Sequence, residues 1–163
     1  MSEFPKVNPE NLPILERNIA SAILFTSDDK IIMGRKNPEM GGVYPDAWHI
    51  PGGGIEDGES LEDAVNREVY EETGLDIHDA DRKTLPVGYG STVKTLKDGS
   101  RVWCEMTFNR FEVRLAASSD EVEGILKPND DLVELCCFSR DELKHVVQIP
   151  GGAEFFQRMG YID

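Results

Sequence analysis

The chain has 163 residues, with 31 acidic against 17 basic side chains and a formal net charge of −14. That length suits a single domain, residues 1–163, with a core of its own. Apolar residues at 39% and charged residues at 29% are ordinary for a water-soluble globular chain. The acidic excess argues against nucleic-acid polymers as partners, which need a basic surface. No apolar run approaches the length that crosses a membrane.

Residues 1–15 carry Pro5, Pro9 and Pro13 and read as an irregular N-terminal arm. Residues 1–11 are polar and show no signal peptide. Residues 19–26 combine two alternating sets, Ile19-Ser21-Ile23-Phe25 and Ala20-Ala22-Leu24-Thr26, and predict a largely buried strand. Ser27-Asp28-Asp29-Lys30 predicts a hairpin turn into a second strand over residues 31–36. Residues 37–47, with Pro38, Gly41, Gly42 and Pro45, predict a loop. Trp48-His49-Ile50 is a short strand leading to the glycine turn Pro51-Gly52-Gly53.

A helix follows. Ser60 is its expected N-cap, with Asp63 three residues on, and Gly74 its expected stop, which places it at about residues 61–73. At about 100° per residue, Leu61, Ala64 and Val65 share the inward stripe. Continued toward the C-terminus, that stripe reaches Glu68 and Glu72, with Glu71 beside them. Glu68 and Glu72 are i,i+4 neighbours, where like charges repel by a few tenths of a kcal/mol. They also lie at the negative end of the helix dipole. Partial burial would enlarge both penalties. A hard divalent cation removes them, and magnesium prefers oxygen ligands and bridges to phosphates.

The segment from Gly53 to Leu75 resembles the Nudix box, Gly-x5-Glu-x7-Arg-Glu-U-x-Glu-Glu-x-Gly-U, where U is bulky and apolar. Every fixed position matches: Gly53, Glu59, Arg67, Glu68, Val69, Glu71, Glu72, Gly74 and Leu75. The resemblance implies an α/β fold, the Nudix-type α/β/α sandwich with a mixed central sheet. It implies hydrolysis of a nucleoside diphosphate linked to another group, with magnesium or manganese as cofactor. By position, Glu68, Glu71 and Glu72 would bind metal, with the Gly52 carbonyl as a further ligand. Glu59 and Arg67 would be a structural pair, since a guanidinium can bind a carboxylate with two hydrogen bonds. Glu68 is one candidate general base. Family members often draw a further acid from a later loop or strand, for which Glu134 is the best positional match and Glu105 the second. Arg35 stands where the family commonly has a cation that meets substrate phosphate. Trp48 is placed to stack on a base, or equally to pack as an ordinary aromatic.

Beyond the box, residues 85–95 and 101–115 predict two long strands around the turn Lys97-Asp98-Gly99-Ser100. Residues 116–131 read as acidic and irregular, residues 132–138 as a final strand. Ser139 is expected to cap a helix beginning near Arg140, and residues 153–159 suggest a last short helix. Cys104, Cys136 and Cys137 form no CxxC pair and read as reduced thiols of a cytoplasmic protein. His49, His78 and His145 are isolated, and Gly88-Tyr89-Gly90 lacks the third glycine of a dinucleotide fingerprint.

The secondary signatures of the ADP-ribose and diadenosine-polyphosphate branches are missing: Gly90-Ser91 and Thr92-Val93 occupy those positions. A nucleoside triphosphate or a nucleotide sugar is therefore the expected small-molecule partner. The alternatives are a catalytically inactive nucleotide-binding module of the same fold and an RNA 5′-end pyrophosphohydrolase. The N-terminal arm and the long mid-chain strands offer surfaces for a homodimer.

Overall fold

The structure is a computed structural model that describes residues 7–36, 46–129 and 132–163. Its strands form one mixed sheet of eight. At the centre, β1 (Ile14–Phe25) runs parallel to β7 (Arg101–Arg114), from the pair Ile14↔Trp103 to Phe25↔Arg114. The other strand pairings are antiparallel. β2 (Ile31–Lys36) joins the end of β1, and β3 (Trp48–His49) and β8 (Leu132–Phe138) join β2. β4 (Gly52–Gly54) joins the middle of β1. β5 (Asp81–Thr84) and β6 (Gly88–Thr95) pair with opposite halves of β7.

Side chains alternate faces along a strand, and each face of this sheet gathers its own core. Ala20, Ala22 and Leu24 of β1 pack with Ala64, Val65 and Val69 of α1 (Leu61–Thr73) and Val122 of α2 (Ser119–Glu123). On the other face, Ile23, Phe25 and Met33 pack with Leu143 of α3 (Arg140–Leu143) and Phe155 and Phe156 of α4 (Gly152–Arg158). Helices on both faces make the α/β/α sandwich. Each fully buried Val, Leu, Ile, Phe or Met contributes about 1.5–3 kcal/mol of transfer free energy, so the first core holds α1 firmly against β1 and the second holds α3 and α4 against the other face.

Several expectations need correction. The irregular arm ends sooner than residue 15, because strand pairing begins at Ile14; residues 1–6 lie outside the described residues. Glu16, Arg17 and Asn18, between the arm and the expected strand, belong to β1 through their register against β7. Most of the expected loop at 37–47 also lies outside the described residues. Gly52–Gly54 is a strand and not a bare turn. The strand expected over 85–95 begins only at Gly88, as β6, and β5 precedes it unexpectedly at residues 81–84, with Pro86 in the break between them, since proline cannot donate to a ladder. The stretch expected to be irregular contains α2, whose Ser118 and Glu121 form a reciprocal capping box. Leu61, expected in the core stripe, is exposed in the first turn, and Val69 is buried instead.

Candidate active site

The helix forms as its termini dictate. The Ser60 hydroxyl accepts the Asp63 N–H at 3.1 Å. Gly74 closes α1 in the left-handed region, φ 80°, with its N–H on the Tyr70 carbonyl at 2.9 Å. Between them, burial of Ala64, Val65 and Val69 fixes the rotation of α1 about its axis. That rotation turns the acidic end of the stripe toward β4.

There helix and strand meet at close range. The Gly52 N–H donates to Glu72 Oε1 at 2.7 Å, and Glu72 is only 2% exposed. A carboxylate this deeply buried requires partners for its charge. Next along β4, a Cβ built on Gly53 would lie 2.6 Å from the Cδ and both carboxylate oxygens of Glu68. Gly53 thus leaves the Glu68 carboxylate the space that any other residue's side chain would fill.

Arg67 ties the remaining groups together. Its Nε and Nη2 donate to Glu59 Oε2 and Oε1 at 2.7 and 2.9 Å, and Nη2 also reaches the Gly54 carbonyl at 3.1 Å. Its Nη1 donates to Glu68 Oε1 at 3.0 Å and Glu71 Oε2 at 3.2 Å. The two-pronged guanidinium bond, with the Glu56 N–H, lowers the Glu59 carboxyl from 4.5 to about 2. Hydrogen bonds to Glu59 and then Glu68 push Arg67 above its already high value, burial opposing. One guanidinium therefore offsets the repulsion among three acids and pins the end of β4 to the helix.

Among the described residues, no three His, Cys, Asp or Glu side chains are already gathered to hold an ion. Glu68 and Glu71 are drawn to Arg67 and Glu72 to Gly52. The donors on offer are carboxylate and carbonyl oxygens beside a glycine-lined gap, which is the chemistry a hard cation such as magnesium selects. The residues fit such an ion in kind, and Arg67 would have to yield Glu68 and Glu71 to it.

The remaining predicted site residues lie elsewhere. Glu134 faces Arg35 across the β2–β8 pair, with Arg35 Nε to Glu134 Oε1 at 3.2 Å. A second salt bridge joins Arg35 Nη1 to Asp46 Oδ1 at 2.7 Å. By register Glu134 shares its face with Met33 and Cys136, the face away from α1, so it is not brought to the glutamates of the helix. Trp48 is given to packing: it meets Phe138 edge-on at 4.9 Å and lies against the second core. His49 is buried, its Nδ1 2.8 Å from the Ile50 carbonyl.

Glu105 is on the α1 face. It pairs with Glu16 and Ser91, and the next row on that face is Asn18, Thr107 and Tyr89. These six residues border a recess of about 570 Å³. It adjoins the box, because the Ile55 N–H donates to the Asn18 carbonyl at 3.0 Å. Sequence reasoning passed over Glu16 and Asn18 because they fall between the arm, residues 1–15, and the strand expected from residue 19. It passed over Arg17 for the same reason, although a Cβ on Gly54 would lie 2.9 Å from Arg17 Nη2. Alternation carried back from Ile19 would have found all three.

The sequence profile of the NUDIX domain matches residues 15–159. Among curated proteins, the chain is 28% identical over 131 residues to one named nucleoside triphosphatase NudI from Enterobacter sp. (strain 638), covering 80% of this chain and 81% of that one. It is 41% identical over 59 residues to a protein named RNA pyrophosphohydrolase from Novosphingobium aromaticivorans, a match spanning 36% of this chain and 35% of that relative. Among solved structures, a MutT protein from Methanosarcina mazei Go1 superposes with TM-score 0.65 at 20% identity, covering 92% of this chain and 95% of its own. The NUDIX domain of Shewanella oneidensis NrtR, solved with ADP ribose, superposes with TM-score 0.63 at 14% identity, covering 94% and 92%. At such identities these two likenesses bear on the fold alone.

Proposed function

The chain belongs to the NUDIX domain family and is a Nudix hydrolase, and from that premise we propose that it cleaves the phosphoric anhydride of a nucleoside diphosphate joined to another group, with a divalent metal. The substrate we propose is a nucleoside triphosphate or a nucleotide sugar. One observation carries the reading: β4 approaches α1 so closely that Gly53 has room only for the Glu68 carboxylate, while Gly52 bonds the buried Glu72. A main chain this close to charged side chains serves little packing purpose and supports a site for a cation and a phosphate.

Glu68, Glu71, Glu72 and the Gly52 carbonyl would hold the metal. When bound, magnesium or manganese supplies neutralisation of charge on the phosphate oxygens and a lowered pKa for attacking water. Glu68 is assigned to remove that water's proton. Arg67 and Glu59 hold β4 and α1 in register and are assigned no chemistry. Glu105, on the face of α1, is the acid outside the box that we favour. Glu134 instead offsets Arg35.

Two features support free nucleotides over RNA. The chain is strongly acidic, and the relative matched over most of its length is named a nucleoside triphosphatase. Free Cys104, Cys136 and Cys137 support a reducing, cytoplasmic setting. Among the described residues no helix is long and apolar enough to cross a membrane.

The test is release of phosphate or pyrophosphate from nucleoside triphosphates, nucleotide sugars, ADP-ribose, dinucleoside polyphosphates and 5′-triphosphorylated RNA, with magnesium or excess chelator. We expect metal-dependent turnover of a nucleoside triphosphate or nucleotide sugar. Equal rates in chelator would overturn the metal role. Tight nucleotide binding with no turnover would leave a binding module, and turnover of the RNA alone would replace the substrate.

A further inference from the structure

The sheet face that carries α1 is covered unevenly. The helices bury Ala20, Ala22 and Leu24 in the second half of β1, while Glu16 and Asn18 in its first half stay exposed. Glu105 of β7 and Tyr89 of β6 are exposed beside them. These four side chains border the recess of about 570 Å³, a volume usual for a small-molecule site.

Its charge has no structural purpose. Glu16 and Glu105 are direct partners across the parallel β1–β7 pair, on strands about 4.8 Å apart. Like charges set opposite each other destabilise a sheet. Among the described residues, neither carboxylate meets a Lys or Arg. Arg17 also borders the recess, but alternation sets its side chain on the opposite face, with Nη2 beside Gly54. The acidic pair thus costs stability and adds nothing to the core.

The recess lies next to the proposed metal site. Asn18 occupies the row between the two acids and Ala20, and Ala20 pairs with Gly53, the neighbour of the Glu68 carboxylate. The Asn18 carbonyl accepts the N–H of Ile55, the residue after β4. A substrate whose diphosphate sits at Glu68 extends its next group along β1 into the recess. Chemistry limits what that group is. Ionised carboxylates only accept hydrogen bonds, and two together repel a further phosphate. Neutral hydroxyls donate, and so match them. Asn18 adds a donor and an acceptor. Tyr89, 53% exposed and in the Asn18 row, offers a negative π face to the C–H side of a sugar ring.

We propose that this recess binds the sugar of a nucleotide sugar, Glu16 and Asn18 taking its hydroxyls and Tyr89 its ring face. It thereby makes a nucleotide sugar the substrate in preference to a nucleoside triphosphate. The proposal rests on reading the chain as a pyrophosphohydrolase. Glu105 keeps its part in the reaction, and Glu16 selects the substrate without touching a reacting atom.

The experiment measures turnover of UDP-glucose and GDP-mannose beside UTP and GTP, with magnesium, for wild type, Glu16→Lys, Tyr89→Phe and Tyr89→Ala. Calorimetry in excess chelator compares the two nucleotide sugars with UDP and GDP, which lack the sugar. Wild type should show kcat/KM at least about tenfold higher for one nucleotide sugar than for its triphosphate. Glu16→Lys should raise KM for that nucleotide sugar about tenfold or more, the range for loss of a charged hydrogen bond, and lower KM for the triphosphate. Its melting temperature should not fall, since a like-charge pair is removed. Tyr89→Phe should keep the affinity for the nucleotide sugar and Tyr89→Ala should lose it. In calorimetry the sugar should add affinity over the bare diphosphate in wild type and add none in Glu16→Lys. KM values that move in parallel or stay unchanged would overturn the proposal, as would a wild type that prefers the triphosphates. Equal loss of affinity for UDP and UDP-glucose would put the ribose in the recess and overturn it too. If the wild type cleaves no nucleotide, the hydrolase reading fails, while calorimetry still decides whether the recess holds a sugar.

Discussion

Replacing Gly53 with Ala tests the junction of strand and helix most directly. Gly53 is not in the left-handed region, so alanine strains no backbone there. The new Cβ would stand 2.6 Å from the Glu68 carboxylate, where ordinary contact begins at 3.4 Å, so the carboxylate must retreat by about 0.8 Å. The carboxylate is the tip of a flexible side chain, so it yields before the strand does. An off-rotamer Glu68 costs about 0.5–1.5 kcal/mol, which lowers the melting temperature by no more than about 6 °C in a chain this size. Catalysis is less forgiving, since a misplacement near 1 Å can cost about 100-fold, or roughly 2.7 kcal/mol in the barrier. Steady-state kcat at saturating magnesium, measured beside thermal unfolding, should show a fall of that order in a protein that still folds. A Gly53→Ala enzyme with kcat within about threefold of wild type would show that the position of Glu68 is unimportant to the chemistry.

Gly52→Ala should behave oppositely. Its Cβ would fall 2.4 Å from Ser21 Cβ and 2.5 Å from the Ala20 carbonyl oxygen, at φ 156°. Main chain must move, so stability should drop by about 3 kcal/mol or more, read by thermal unfolding; a variant as stable as wild type would refute the close approach. Glu59 gives a pH prediction. Its folded value of about 2 lies below the ordinary 4.5, so the unfolded chain binds the proton more readily between those values. Its contribution is therefore complete above pH 4.5 and is lost as pH falls toward 2. Denaturant midpoints at pH 5, 4 and 3 should fall more steeply for wild type than for Glu59→Gln, and parallel slopes would count against the Arg67 pairing. Magnesium should stabilise the fold without substrate by about 2.7 kcal/mol at a hundredfold excess over its Kd, seen as a higher melting temperature, and Glu72→Gln should blunt the rise. An unchanged melting temperature at any magnesium concentration would count against the carboxylates as ligands.

What could be read locally was read well. Ser60, Gly74 and the apolar stripe of α1 act within a turn or two of chain, and the helix appears where they put it. The grouping of Glu68, Glu71 and Glu72 at one end of that stripe follows from helical spacing alone. That Arg67 holds Glu59 was implied by family likeness and is visible in the distances. The break at Pro86 and the Ser118–Glu121 capping box were also local signals, and they were legible though overlooked.

Other features have no local signature. Glu134 looked well placed beside an apolar run, yet pairing with β2 sets it against Arg35 on the face away from α1. Glu16, Arg17 and Asn18 are polar residues ahead of the expected strand, and β7 pairs with them. The depth of Glu72 depends on how near β4 lies to α1, which β1 decides by pairing with the one and packing against the other. Helix ends and side-chain periodicity are short-range properties, so the primary structure determined α1, its acids and the family. Which sheet face a strand residue takes, and which distant charge it meets, depends on pairings between segments far apart in the chain. Only the assembled sheet could decide those.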